Sequence, residues 1–227
     1  MSALPKIGVT ERHTLWDHAY GSLRAALMAG RLAPGSRLVL RDLADQLGVS
    51  LTPARDAVNR LVAEKALERG SVGVGGGATV PRLSAEQFGQ LMLVRSQLEP
   101  VAAAAAAAHA TPEKLARIEA DLVEMTTAIG QGLIPAYFEA HYRFHFGIYA
   151  LCGMPILLEI IESAWLRCAP TLTLPQYTPG LKRYPLHVAA LEALRAGDGA
   201  AAGEAVRADI ESARADICPL LPAQRSG

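Results

Sequence analysis

Four side chains could converge on one ion. His141 and His145 stand four residues apart in a stretch of helical period, so their imidazoles share one face. Phe138, Ile148 and Cys152 continue that stripe, which turns both rings toward a core. One inward histidine is ordinarily a satisfied core residue; two at this spacing are more suggestive. A second pair follows from symmetry about a turn. Gly197-Asp198-Gly199 reads as a tight turn between antiparallel helices, with His187 lying 11 residues before Asp198 and Asp209 lying 11 after it. Antiparallel neighbours equidistant from their turn lie at the same height. His187 shares a face with Ala190, Leu191 and Leu194, and Asp209 shares one with Val206 and Ala202, so both can point into a bundle at one level. Three imidazoles and one carboxylate suit zinc, nickel or another divalent ion with nitrogen and oxygen ligands. The alternative is a set of core polar residues that hydrogen-bond to each other or to a carboxylate ligand.

A different chemistry is written between Leu40 and Leu61. Ala44 is small enough to let two helices approach, and Gly48, four residues on, supplies the positive backbone angle of a tight helix-helix turn. Val49 plugs that turn, while Val58 and Leu61 form the inner face of the second helix. The outer face carries Ser50, Thr52 and Arg55, short donors and a guanidinium suited to phosphates and base edges in a major groove. An ordinary helical hairpin would show the same Ala-x-x-x-Gly spacing. It would not need the helix before it, the proline-started second helix or the Gly-rich hairpin behind it.

The elements that must hold these residues can be read from period and punctuation. A first helix spans about Thr14–Ala29, stopped by Gly30; a short one spans Arg41–Leu47; the next starts at Thr52-Pro53 and runs to about Lys65. Leu67–Val80, with the alternations Val72/Val74 and Thr79/Val80, suggests a small two-stranded hairpin. From Ser84 the pattern is helical, with helices near 84–109, 112–130, 134–152, 154–168, 181–196 and 199–217. Ser84 with Gln87, and Thr111-Pro112-Glu113, are helix starts. Pro170–Pro185 carries four prolines and should be an irregular connection. The expected fold is mainly α: a winged helix-turn-helix over residues 10–82 and an all-α helical bundle over residues 83–220, joined near Pro81–Ser84.

Composition agrees. The chain of 227 residues is 51% hydrophobic, enough for a sizeable core and too much for wholesale disorder. Net charge is zero, yet residues 1–82 hold 11 Lys/Arg against 7 Asp/Glu, so the remainder holds 11 against 15. A basic front and an acidic back suit a protein that meets phosphates with one end. Cys152, Cys168 and Cys218 share no short spacing and read as reduced thiols of a cytoplasmic protein. No signal-peptide pattern is present, and Val101–Ala108 is too short for a membrane span; it reads as a helix former at a crowded crossing.

Leu32-Ala33-Pro34-Gly35-Ser36-Arg37-Leu38, then Leu43-Ala44 through Gly48-Val49-Ser50, then Thr52-Pro53-Ala54-Arg55-Asp56-Ala57 resembles the GntR superfamily of transcriptional regulators. From about Trp16 to Asp216 the chain is similar to its FadR-type subgroup, which implies an all-helical effector-binding domain. The resemblance implies that Arg41, Thr52 and Arg55 contact DNA, with Gly77 as the wing glycine that enters the minor groove. Leu51 stands where the family usually has an Arg, which removes a guanine-reading fork; Leu51 could instead meet a thymine methyl. The wing, Ser71–Gly77, lacks the usual basic residues, which implies a shallower salt dependence. In the subgroup, Asp-x-x-x-His on one helix and a His on each of the last two bind a metal. Here His141 replaces that Asp and Asp209 takes the place of the last His, so the ligand set keeps its kind with positions exchanged. Arg95-Ser96-Gln97-Leu98-Glu99 resembles the subgroup's Arg-x-x-Leu-Glu, which implies Arg95 for an effector's carboxylate; the alternative is a structural Arg95–Glu99 pair.

The function expected is a ligand-responsive regulator, a homodimeric repressor of double-stranded operator DNA, with no enzymatic activity and no membrane partner. A metal-dependent enzyme built on the bundle is the competing reading. It lacks a Glu beside the ligands to act as general base, and it leaves the front domain idle.

Overall fold

The computed structural model describes residues 15–70, 77–177 and 181–223. At the front, α1 (Leu15–Met28) buries Ala19, Leu23, Leu27 and Met28, and packs on α3 (Leu51–Ala63). Between them α2 (Leu40–Leu47) buries Leu40, Leu43 and Ala44. Gly48 takes φ 65°, a left-handed conformation that costs glycine little, and reverses the chain into α3. One face of α3 buries Ala54, Ala57, Val58 and Leu61, which leaves Thr52 and Arg55 exposed on the other.

Strands β1 (Arg37–Leu38), β2 (Glu68–Arg69) and β3 (Ala78–Thr79) form an antiparallel sheet in the order β1-β3-β2. Thr79 faces both Arg37 and Glu68 in register. Strand β1 has no counterpart in the sequence reading, because two residues carry no detectable period. The alternation Val72/Val74 lies outside the described residues. Gly77 closes the hairpin at its base, accepting the Gly70 N–H at 3.0 Å. A Cβ on Gly77 would lie 1.9 Å from the Leu38 carbonyl oxygen, so any side chain there would force β1 and β3 apart. Gly77→Ala is therefore expected to destabilise the front half by about 1–3 kcal/mol and to weaken DNA binding with it. Thermal melting and a DNA titration of the variant check this.

The remaining helices are α4 (Ala85–Ala106), α5 (Pro112–Gly130), α6 (Ile134–Tyr149), α7 (Pro155–Cys168), α8 (Tyr184–Arg195) and α9 (Gly199–Ile217). Ser84 and Gln87 cap α4 reciprocally, each side chain bonding the other's backbone N–H. Pro100 within α4 cannot donate to the Ser96 carbonyl, and Arg207 of α9 donates to that oxygen instead, at 2.6 Å. The two helices cross closely. A Cβ on Gly199 would meet the Ala104 carbonyl oxygen at 2.5 Å, and one on Gly203 the Pro100 oxygen at 2.9 Å. The alanine run of α4 thus lies at a crowded crossing, with Ala102, Ala103 and Ala106 fully buried.

The two halves share one continuous core. Helix α1 packs on α7, where Arg24 donates to Glu162 at 2.6 Å, and Arg31 pairs with Glu139 of α6 at 3.3 Å. Among the described residues no helix is long and apolar enough to cross a membrane.

Candidate metal centre and nucleic-acid interface

Helix α6 brings His141 and His145 to its buried face, and α8 and α9 bring His187 and Asp209 to the same level. Four ligand atoms, one from each, all lie within 4.8 Å of one another, and all four residues are buried. His145 Nε2 is 3.5 Å from Asp209 Oδ2, and His187 Nε2 is 3.5 Å from Asp209 Oδ1. These separations are long for hydrogen bonds that involve a carboxylate, which run about 2.7–2.9 Å. They match co-ligands: two atoms each about 2.1 Å from a tetrahedral ion stand about 3.4 Å apart. His145 Nε2, His187 Nε2 and Asp209 Oδ1 are buried without a hydrogen-bond partner. Native proteins rarely leave such atoms unsatisfied, so the donor set fits a divalent ion.

Burial holds the imidazoles neutral. His145 is pushed down to about 3, and His187 and His141 also fall below the ordinary range. For Asp209, burial favours the protonated form, but the charges facing it, His187 and His145 when protonated and Arg183 and Arg95 in every state, leave the carboxyl below its usual range. Neutral rings and an ionised carboxylate are the states a metal requires of its ligands.

A relay behind the cluster orients His145. Its Nδ1 lies 3.0 Å from the Tyr149 hydroxyl, and that hydroxyl donates to Glu99 Oε2 at 2.6 Å. Because the single phenolic proton is used on the carboxylate, the oxygen must accept from His145 Nδ1–H. This assigns the tautomer from the network and leaves the Nε2 lone pair facing Asp209. Trp165 closes the floor, its ring 5.7 Å from both His141 and His145.

Arg95 is 3% exposed and grips Glu99 with two bonds, Nε at 2.5 Å and Nη2 at 3.2 Å. Its guanidinium also lies over the Trp165 ring at 4.1 Å. The residue expected to await an effector's carboxylate is thus already engaged by one of the chain's own. Sequence reasoning missed Arg183, which stands in the 3-10 turn before α8. Its side chain is buried, donates to the Tyr177 hydroxyl and holds its Nε 3.7 Å from Asp209 Oδ1. Nothing in the local sequence marks it, since the fold of a proline-rich connection decides where it lands. Tyr149 and Glu99 carried only a weak signal, an aromatic and an acid at helical spacing.

At the other end of the molecule, Arg41, Ser50, Leu51, Thr52 and Arg55 are all exposed around the start of α3. Ser50 is the residue before the helix, and its hydroxyl makes no capping bond. Leu51 is 46% exposed, an apolar side chain on an otherwise polar surface. Gly77 sits apart from them at the base of the wing, where its lack of a side chain serves the β1–β3 contact. The sequence reading had placed this glycine in a minor groove; the wing between Gly70 and Gly77 is outside the described residues.

Comparison with known proteins covers both halves. The FCD domain matches residues 90–212, and the gntR family of bacterial regulatory proteins matches residues 15–79. The HTH-type transcriptional regulator McbR of Escherichia coli (strain K12) is 35% identical over 169 residues, 74% of this chain and 75% of that protein. The solved structure of E. coli McbR/YncC is similar with TM-score 0.80 and 30% identity, over 88% of this chain and 95% of that one. A putative transcriptional regulator GntR from Rhodococcus sp. RHA1 shares the fold, with TM-score 0.71 and 22% identity over 92% of this chain and 99% of that one.

Proposed function

Because the chain belongs to the gntR family of bacterial regulatory proteins and carries an FCD domain, we propose that it is a homodimeric repressor whose operator binding is set by a small carboxylate effector and a divalent metal. It is a transcriptional regulator with an effector-binding domain, not an enzyme. The observation that carries the DNA side is the exposed start of α3, where Thr52 and Arg55 project from a helix whose other face is core. Thr52 and Arg55 read base edges and phosphates in a major groove, Ser50 and Arg41 hold the backbone, and Leu51 meets a thymine methyl. One recognition helix covers about half of a short operator, so two copies reading half-sites roughly 34 Å apart are needed.

Arg55→Ala is expected to weaken binding to the operator by about 1–3 kcal/mol, roughly 5- to 140-fold, and to leave the fold and effector binding unchanged. A fluorescence-anisotropy titration of the two proteins measures it. Equal affinities would remove the recognition role of this helix.

In the sensor half, His141, His145, His187 and Asp209 hold the metal, and the orphaned nitrogens and carboxylate oxygen support that assignment. Zinc or nickel would supply a fixed positive charge there and cross-link α6, α8 and α9. Elemental analysis of protein purified without a histidine tag should find about one ion per chain in the wild type and almost none in His145→Ala. A wild-type ratio near zero, unchanged by the substitution, would end the metal assignment.

A further inference from the structure

We infer that a cavity at the junction of the DNA-binding and sensor halves is a second ligand site, one that takes a flat apolar monoanion, an arene carboxylate. The cavity measures about 320 Å³, within the range of small-molecule sites, about 300–1,000 Å³. Its walls come from four separate stretches: Pro34 after α1, Leu83 between the halves, Leu174 and Pro175 after α7, and Leu221 and Pro222 after α9. Backbone bonds tie these stretches in place. The Gly35 N–H donates to the Val80 oxygen at 2.8 Å, the Ala85 N–H to that of Pro222 at 2.9 Å and the Tyr177 N–H to that of Leu174 at 2.9 Å. The site is separate from the metal cluster. In the 3-10 turn Ala169–Thr173, Leu172 lines the small void beside Asp209, whereas Thr171 lines the junction cavity.

Two polar groups set the chemistry. Arg82, exposed and lining the cavity, makes no hydrogen bond or ion pair among the described residues. Gly35, at φ 85°, leaves the room its guanidinium occupies, since a Cβ there would overlap it. Thr171 is 1% exposed, and its hydroxyl is buried without a hydrogen-bond partner, a state rarely left in native proteins. A guanidinium only donates and a hydroxyl can donate, so both lack an acceptor, and beside an unpaired cation a carboxylate is the favoured one. The rest of the wall calls for an apolar body. Pro34, Pro175 and Pro222 present ring faces of the kind that pack on aromatic rings, and a rigid arene loses little freedom on entry. An occupant touches Pro34 on the DNA-binding side and Leu174 on the sensor side at once, so it bridges the two halves.

Calorimetric titration of the full chain with 2-naphthoate tests this, with 2-naphthamide as the uncharged control of the same shape. The wild type should bind naphthoate at about one per chain and naphthamide roughly tenfold more weakly. Arg82→Gln should weaken naphthoate about tenfold and leave naphthamide unchanged. Ala33→Trp, which fills the cavity from an exposed position on its wall, should weaken both. Chelation of metal should change neither affinity, and because no DNA is used the result stands apart from the regulator reading. No binding by the wild type, naphthoate affinity untouched by Arg82→Gln and Ala33→Trp, or affinity that falls on chelation overturns the inference. So does a gain of about tenfold in a chain shortened after Ala223, which would make residues 224–227 the natural occupant.

Discussion

Glu99→Ala should be among the most damaging single substitutions in this chain, costing about 3–5 kcal/mol of stability. Glu99 is fully buried, and its two oxygens accept from Arg95 and from the Tyr149 hydroxyl. Removing it strands a guanidinium that is 3% exposed, beside the Met92 and Cys168 sulfur atoms and the face of Trp165. Uncompensated buried charge is far costlier than absence of the pair. Replacing both partners with apolar residues, as in Arg95→Met with Glu99→Leu, should therefore recover most of the loss. For a chain of this size the single substitution lowers the melting temperature by roughly 6–20 °C. A second consequence separates this pair from an ordinary internal ion pair. Without Glu99 the Tyr149 proton has no carboxylate to bond, the tautomer of His145 is no longer enforced, and zinc affinity should fall about 10–100-fold. Calorimetry and a zinc titration on the single and double variants read both effects. A Glu99→Ala chain as stable as the wild type would show that Arg95 reaches water on its own.

Acid is the second large lever. In the folded chain His145 is held to about 3, against an ordinary imidazole at 6.5, and burial is the leading cause. Between those values the unfolded chain binds a proton that the folded chain refuses. Stability therefore falls as pH drops below about 6.5, by up to about 1.4 kcal/mol per pH unit for each such imidazole. Above that range the contribution is flat. His141 and His187 shift in the same direction for the same reason, so their effects add to that of His145. Metal-free protein in a chelating buffer should thus show a urea midpoint that is level from pH 8 to 7 and declines steeply toward pH 5. His145→Gln should show a shallower decline. Zinc should hold the midpoint up until protons displace it from the ligands. A flat profile down to pH 5 in the metal-free chain would mean that the rings are hydrated.

Much of this was readable from one dimension. Local rules place every long helix: the Gly48 turn, the Ser84–Gln87 cap, the prolines at helix starts and the 3.6-residue period all act over a few positions. The metal cluster was legible for a related reason. His141 and His145 are one turn apart, and His187 and Asp209 are equidistant from the Gly197–Gly199 turn. Two helices joined by a tight turn must return antiparallel, so sequence separation translates into height. The exposed face of α3 follows from the apolar residues opposite it.

Other features depend on which distant segments meet. Strand β1 exists because β3 comes alongside it, and Gly77 is held at the wing base by a carbonyl 39 positions earlier, that of Leu38. The commitment of Arg95 to Glu99 rather than to a ligand depends on Trp165 and Cys168 arriving from α7 to shut out water. Arg183 reaches Asp209 through a connection with no period to read. Short-range geometry is carried by the chain itself, whereas the charge state and accessibility of a buried group depend on everything packed around it, and that packing is known only once the helices have come together.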